Sequence, residues 1–194
     1  MVIDVSYNLI KSVKAGDKQS FGILIDHCNQ FVYAVSLKMV GDVDDARDAA
    51  QESFIKVWQK INTYKSHYKF TTWLYKIVIN TCLDRLRKKA RHNAIFAPMN
   101  DQDDLYNAMV VSPKIEFEEK QLVDFIRMIA SKLSGKQHSV FVLHDLEELS
   151  QEEISKILNM SRGSVKSNLY HARKAIRIVL SSLDKKIITT SYGM

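Results

Sequence analysis

Two stretches of this chain carry residue types that could do chemistry on a polyanion. The first is NTYKSHYKFTTWLYK, Asn62 to Lys76, where aromatic rings alternate with cations. Rings that stack bases, beside cations that track phosphates, are the composition of a surface for single-stranded nucleic acid, and each stacked base is worth roughly 1–3 kcal/mol. Tyr64, Lys65, His67 and Lys69, read as a loop, are the candidates for that role, while Phe70 and Trp73 suit a core. The second stretch is NMSRGSVKSNLYHARKAIRIV, Asn159 to Val179. It reads as a helix that starts on Ser161, Arg162, Gly163 and Ser164, although a helical glycine costs about 1 kcal/mol against alanine. Val165, Leu169, Ala172 and Ile176 form its inward stripe, leaving Arg162, Lys166, Ser167, Tyr170, His171, Arg173 and Lys174 outward.

That second helix comes after a shorter one. SQEE at Ser150 to Glu153 has capping-box spacing, and Ile154, Ile157 and Leu158 give the short helix an apolar side. Asn159 tolerates the left-handed turn, Met160 plugs the corner, and Ser161 caps the longer helix. A short helix, a tight turn and a longer helix make a helix-turn-helix, whose second helix places its early residues in the major groove. There lysine can donate to guanine and serine can serve either role. Small residues at Gly163 and Ser164 allow a close approach, so the poor first turn leaves room for something to fit against it.

Other chemistries lack their residues. Asp42, Asp44, Asp45 and Asp48 lack the glycine and terminal glutamate of a calcium loop and suit a helix start instead. The six histidines are scattered, with no paired metal spacing or nucleophile partner, and His144 reads as a core-edge residue. No glycine-rich phosphate loop is present. The sequence therefore predicts no metal, no cofactor and no enzyme activity. Cys28 and Cys82 form neither a metal spacing nor a disulfide framework and read as buried free thiols of a reducing compartment. With no leader pattern and no apolar run long enough for a bilayer, the expectation is a cytoplasmic chain. A net charge of +6 over 194 residues favours a polyanionic partner.

The elements that must position these residues are all helical. Asp4 to Lys14 is a short helix. A stronger one presents Phe21, Leu24, Ile25, Cys28, Val32, Val35 and Met39 on one face and ends at Gly41. The next buries Ala46, Ala50, Phe54, Val57 and Ile61, and a fourth, from about Thr71, carries Leu74, Ile77, Val78 and Leu86 inward to the basic tip RLRKKAR. From Asn93 to Ile115 the period breaks, with both prolines and three acids, which predicts a linker. Helices resume around Leu122, Phe125, Ile126 and Ile129. SGKQ at Ser134 to Gln137 is another capping box, opening a helix with Val140, Phe141 and His144 on its face. The fold class is all-α: two small helical domains, 1–92 and 117–184, joined by a linker at 93–116 and followed by a tail at 185–194.

Three segments together carry a resemblance. DDARDAAQESFIKVW, KFTTWLYKIVINTCLDRLRKK and LSQEEISKILNMSRGSVKSNLYHARKAI resemble, in this order, the signatures of bacterial RNA polymerase sigma factors of the extracytoplasmic-function subgroup of the sigma-70 family. The resemblance implies that the helix with Asp48, Gln51, Glu52 and Phe54 docks on the clamp helices of core RNA polymerase. It implies that Asn62 to Phe70 traps the melted minus-ten element, with Lys76, Asn80, Arg85 and Arg87 facing the same DNA. Arg162, Ser164, Lys166, Ser167, Tyr170, His171 and Arg173 then face the minus-thirty-five element, and the linker threads through the polymerase. Further implied partners are the flap region of the polymerase, promoter DNA and a membrane-linked anti-sigma factor, with no membrane insertion by the chain itself. In its active state it would be nucleoid-associated.

Reach is compatible with two readers. About 20 linker residues extend to roughly 65–70 Å, against about 34 Å per DNA turn. The alternative is a helix-turn-helix regulator acting without the polymerase, since the third segment also resembles two-component output domains. That alternative needs a first half with alternating strands and helices, which is not the pattern found. A purely structural helical adaptor leaves the aromatic–basic loop unexplained.

Overall fold

The computed structural model describes residues 5–67, 69–96 and 117–191. Among them the elements are α1 (Tyr7–Lys14), α2 (Lys18–Val40), α3 (Val43–Lys60), α4 (Phe70–Phe96), α5 (Phe117–Ala130), α6 (Gly135–Phe141), α7 (Gln151–Leu158) and α8 (Arg162–Ser191). No strand occurs among the described residues, and none of their helices is long and apolar enough to cross a membrane. Most of the segment expected as a linker, from 97 to 116, lies outside the described residues, as does the end of the tail; at its start, α4 runs on to Phe96.

Helices start here where a short polar side chain satisfies a free backbone N–H. Ser6, Asp17 and Asp42 cap α1, α2 and α3. Ser134 and Ser150 form full capping boxes with Gln137 and Glu153. Gly41 ends α2 at φ 66, a conformation glycine adopts without steric cost.

The α2–α3–α4 bundle buries Leu24, Cys28, Val32, Val35 and Met39 of α2 against Ala46, Ala50, Phe54 and Val57 of α3 and Leu74, Val78 and Cys82 of α4. Burial pushes the Cys28 and Cys82 thiols up to about 11 and about 12, so both stay protonated and unreactive near neutrality. Leu86, expected inside, is half-buried, as are Phe21 and Ile25 of α2.

In the second half, α6 packs on α8, and the chain after Phe141 widens into a π turn, Val142–Leu146. His144 is half-buried at the core edge, as expected, and meets Asp145 at 2.9 Å. The fully buried histidine among the described residues is His138, one ring nitrogen bonded to the Lys38 backbone and Nε2 without a hydrogen-bond partner.

The halves share one core. Val123, Val140, Val142, Leu143, Ile154 and Ile157 belong to the same buried cluster as α2, α3 and α4, while Ile126, Ile129, Leu133, Phe141, Ala172 and Ile176 form a second cluster. Polar bonds reinforce the join. Arg127 donates from Nε to the Gly41 carbonyl at 2.8 Å and reaches Asp42 at 3.3 Å. Glu147, 8% exposed, accepts from Lys38 Nζ at 2.6 Å and from the Tyr75 hydroxyl at 2.7 Å.

Candidate nucleic-acid interface

The 3₁₀ turn Ile61–Thr63 leads from α3 into the aromatic–basic loop. Its placement differs from a row of exposed rings. Tyr64 is buried, its ring 5.4 Å edge-on from Phe70 and 5.7 Å from Trp73, and Lys14 Nζ both covers that ring and donates to the Tyr64 carbonyl at 2.6 Å. The physical reason is that three rings so close remove more apolar surface from water together than a loop tyrosine saves by staying exposed. Tyr64 therefore props the loop, and the half-buried Trp73 edges onto its surface. Lys65, His67 and Lys69 are exposed, and so are Lys76 and Asn80 on the first turns of α4. Together they form one polar, cationic face, on which Lys69 is paired with Glu153 at 3.2 Å.

Arg85 and Arg87, expected on this face, behave differently. Arg85 is half-buried and bonds Asp45 at 3.1 Å and Asp48 at 2.9 Å, with Glu52 at 3.9 Å. Burial raises the carboxyl of Asp45, but the bonds from Lys89 and Arg85 outweigh it and hold that acid below its usual range. Arg85 thus ties α3 to α4. Arg87 is exposed and pairs with Asp84 at 3.1 Å.

The same network divides the residues expected to dock. Asp48 and Glu52 turn toward Arg85, and Glu52 also pairs with Lys56 at 2.8 Å, which holds its carboxyl low. Gln51 and Phe54 line a groove of ≈ 1150 Å³ between α2 and α3. Phe21, Ile25, Tyr33, Ile55 and Trp58 complete its apolar wall, with Lys18 and Arg47 at the rim. Ile55 stands 58% exposed. These groove residues were missed in the sequence; the one available signal was Ile55, an aliphatic residue off the buried stripe of its helix.

The helix-turn-helix takes the predicted form. Asn159 sits at φ 51, the Met160 N–H donates to the Ser155 carbonyl at 3.1 Å, and the Ser161 hydroxyl accepts from the Ser164 N–H at 3.1 Å. Val165, Leu169, Ala172 and Ile176 are buried. Lys166, Ser167, Tyr170 and His171 are exposed in a continuous row, the last two rings edge-on at 5.4 Å. Gly163 has open space where a Cβ would stand.

Three neighbours are less free. Arg162 pairs with Glu152 at 2.6 Å. The Asn168 amide donates to the Ser164 carbonyl at 2.8 Å and reaches the Ser164 hydroxyl at 3.4 Å, along the same helix. Arg173 is held by Asp145 in a two-pronged bond, Nε to Oδ2 at 2.9 Å and Nη2 to Oδ1. It fastens α8 to the π turn in this state.

Two family models match the chain. Residues 24–92 match Sigma-70 region 2 and residues 126–176 match Sigma-70, region 4. Over 179 residues the chain is 35% identical to the ECF RNA polymerase sigma factor SigW of Bacillus subtilis (strain 168), covering 90% of this chain and 96% of that protein. Two solved structures share the fold. CnrH in complex with the cytosolic domain of CnrY is 18% identical with a TM-score of 0.65, covering 90% of this chain and 96% of that one. The sigma factor RpoE in complex with the anti-sigma factor NepR, from Bartonella quintana, is 20% identical with a TM-score of 0.64, covering 84% and 98%. A match in the first half as well as the second favours a polymerase subunit over a regulator that acts alone. The chain belongs to the sigma-70 family, a family of non-catalytic transcription initiation factors, and is an RNA polymerase sigma factor of the extracytoplasmic-function type.

Proposed function

We propose that this chain docks on core RNA polymerase through the α2–α3 groove, with Gln51, Phe54, Ile55 and Trp58 as anchors, and carries it to promoters defined by two DNA elements. Asp48 and Glu52 support that surface through Arg85. Lys65, His67, Lys69, Lys76 and Asn80 face the opened minus-ten strand, with Tyr64 and Arg85 holding the loop and helix in shape and Arg87 at the edge. Lys166, Ser167, Tyr170 and His171 read the minus-thirty-five major groove, flanked by Arg162, Ser164 and Arg173 at the backbone. The domains keep the limits 1–92 and 117–184, and the chain does no catalysis of its own. Its remaining partners are the polymerase flap region and an anti-sigma factor, and it is cytoplasmic and joins the nucleoid when active.

The observation that carries this reading is the exposed row on α8, set on a buried stripe and preceded by a capped turn. That is the geometry of a helix that enters a major groove. The test is transcription of many templates by core RNA polymerase with and without the purified chain, with sequencing of the RNA 5′ ends. Discrete starts sharing two upstream motifs are expected. No starts, with a polymerase that responds to a control sigma factor, overturn the proposal.

A further inference from the structure

The first helix reaches the aromatic–basic loop through one side chain. Ile10 and Val13 bury α1 in the main core, 5% and 1% exposed. That anchoring brings Lys14, the last residue of the helix, half-buried against Tyr64, 50 positions on. Its ammonium lies 5.5 Å from the centre of the Tyr64 ring and donates to the Tyr64 carbonyl at 2.6 Å. The match to Sigma-70 region 2 begins at residue 24, so α1 and Lys14 lie outside it.

The position of this bond gives it a consequence. A peptide unit is rigid and planar. The Tyr64 carbonyl therefore shares its plane with the Lys65 nitrogen and Cα, and a donor that holds the oxygen sets the direction in which the chain leaves toward Lys65. On the other side of the residue, the Tyr64 N–H closes the 3₁₀ turn on the Ile61 carbonyl at 3.1 Å. The Tyr64 ring is held separately, edge-on to Phe70, the first residue of α4. Lys65, Ser66 and His67 stand exposed just beyond this fixed point. Half-buried and engaged twice, the Lys14 ammonium is set to support the loop rather than to meet a phosphate.

We propose that Lys14 is a positioning residue for the opened strand: from α1 it fixes the Tyr64–Lys65 peptide, and through it the presentation of Lys65 and His67, without itself touching DNA. The inference rests on the reading of this loop as the one that faces the minus-ten strand. The short first helix is then part of the strand-binding unit.

The test compares the full wild-type chain with Lys14→Met, which keeps the apolar stem and removes the donor, and with Lys14→Arg, which keeps a cationic donor. Opening is read with core RNA polymerase by permanganate reactivity of thymines in the minus-ten region of a promoter found by start mapping. Loss of one charge-assisted bond should lower the open-to-closed ratio about tenfold in Lys14→Met, and Lys14→Arg should restore it to within about threefold. Polymerase affinity and minus-thirty-five duplex binding should stay within about twofold of wild type. Salt dependence separates support from contact: the log–log slope should be unchanged in Lys14→Met, whereas loss of a phosphate contact would reduce it by about 1. In the free chain, hydrogen exchange of residues 61–69 should be about tenfold faster in Lys14→Met, with α2 and the body of α4 unaltered. Lys14→Gln, with its shorter reach, takes the place of Lys14→Met if that variant does not fold. Unchanged opening, opening and polymerase affinity falling together, a shallower salt slope, or unchanged exchange of the loop each overturn the proposal. So does a Lys14→Arg chain as defective as Lys14→Met. If wild type yields no promoter starts, the sigma reading fails, and exchange in the free chain still judges Lys14.

Discussion

The loop proposed to face the minus-ten strand and the helix proposed to read the minus-thirty-five element both combine rings with cations, yet they are built in opposite ways. In the loop the rings turn inward: Tyr64 is 7% exposed, and the cations line its surface. On α8 an aliphatic stripe does the packing, so Tyr170 stands 64% exposed beside His171. A loop has no backbone ladder to hold it, and its own side chains must supply the scaffold. A helix already has one, and its outward residues can be given over to contact. Aromatic content alone therefore does not locate a stacking surface; the deciding factor is whether another element already provides rigidity.

Truncating one tyrosine on each side should break or sharpen this contrast most. Tyr64→Ala is expected to cost about 3 kcal/mol of stability, as for buried aromatic truncations, seen as a lower denaturation midpoint. Tyr170→Ala should leave stability within about 0.5 kcal/mol and weaken only duplex binding. Equal midpoints for the two variants would mean that the loop rings are not structural.

The next effect in size is acid sensitivity at the join between the halves. Burial holds His138 down at about 4, so it is neutral when packed and takes up a proton only when released. Stability should be complete above the ordinary histidine range near 6.5. It should fall as pH drops from there toward 4, by roughly 3 kcal/mol in all. His138→Gln should flatten that part of the pH profile, measured by chemical denaturation; an unchanged slope would place the acid sensitivity elsewhere.

Smallest are the surface cations of α8. Lys166→Ala should cost about 1–3 kcal/mol of duplex affinity and relax preference at one base position. Arg173→Ala, because that side chain is already engaged by Asp145, should alter stability by less than about 1 kcal/mol and leave sequence preference intact. Relaxed preference in Arg173→Ala would show that the Asp145 bond opens on DNA.

The parts of this fold legible in the sequence are those decided within a few residues. Gly41, Asn159, Ser161 and the two capping boxes act through bonds spanning one turn, so residue type and spacing announce them. The same holds for the inward stripe of α8. The features that stayed hidden depend on partners far along the chain. Arg85 looked like a DNA-facing cation until α3 brought Asp45 and Asp48 beside it. Gln51 and Glu52 are neighbours in sequence, yet one lines a groove and the other joins an ion-pair network about 100° around the same helix. On α6 periodicity found Val140 and Phe141 but missed the rest of the burial, because His138 to Leu143 are all buried and a helix enclosed all round has no single face to read.

Gly41 carries a consequence for the chain as it is made. Its left-handed turn finishes α2, its carbonyl receives Arg127, and a Cβ there would meet Ile126 at 3.1 Å. The seat for the second half is thus cut into the first by a residue that any ribosome places 86 positions before Arg127, its occupant. Domains fold as they emerge, the N-terminal one first. The first bundle can therefore complete α2 while its docking surface is still bare, and for that interval it presents apolar surface meant for Ile126 to its surroundings. A nascent or truncated chain ending within α4 should then be the form most prone to aggregate or to be held by a chaperone.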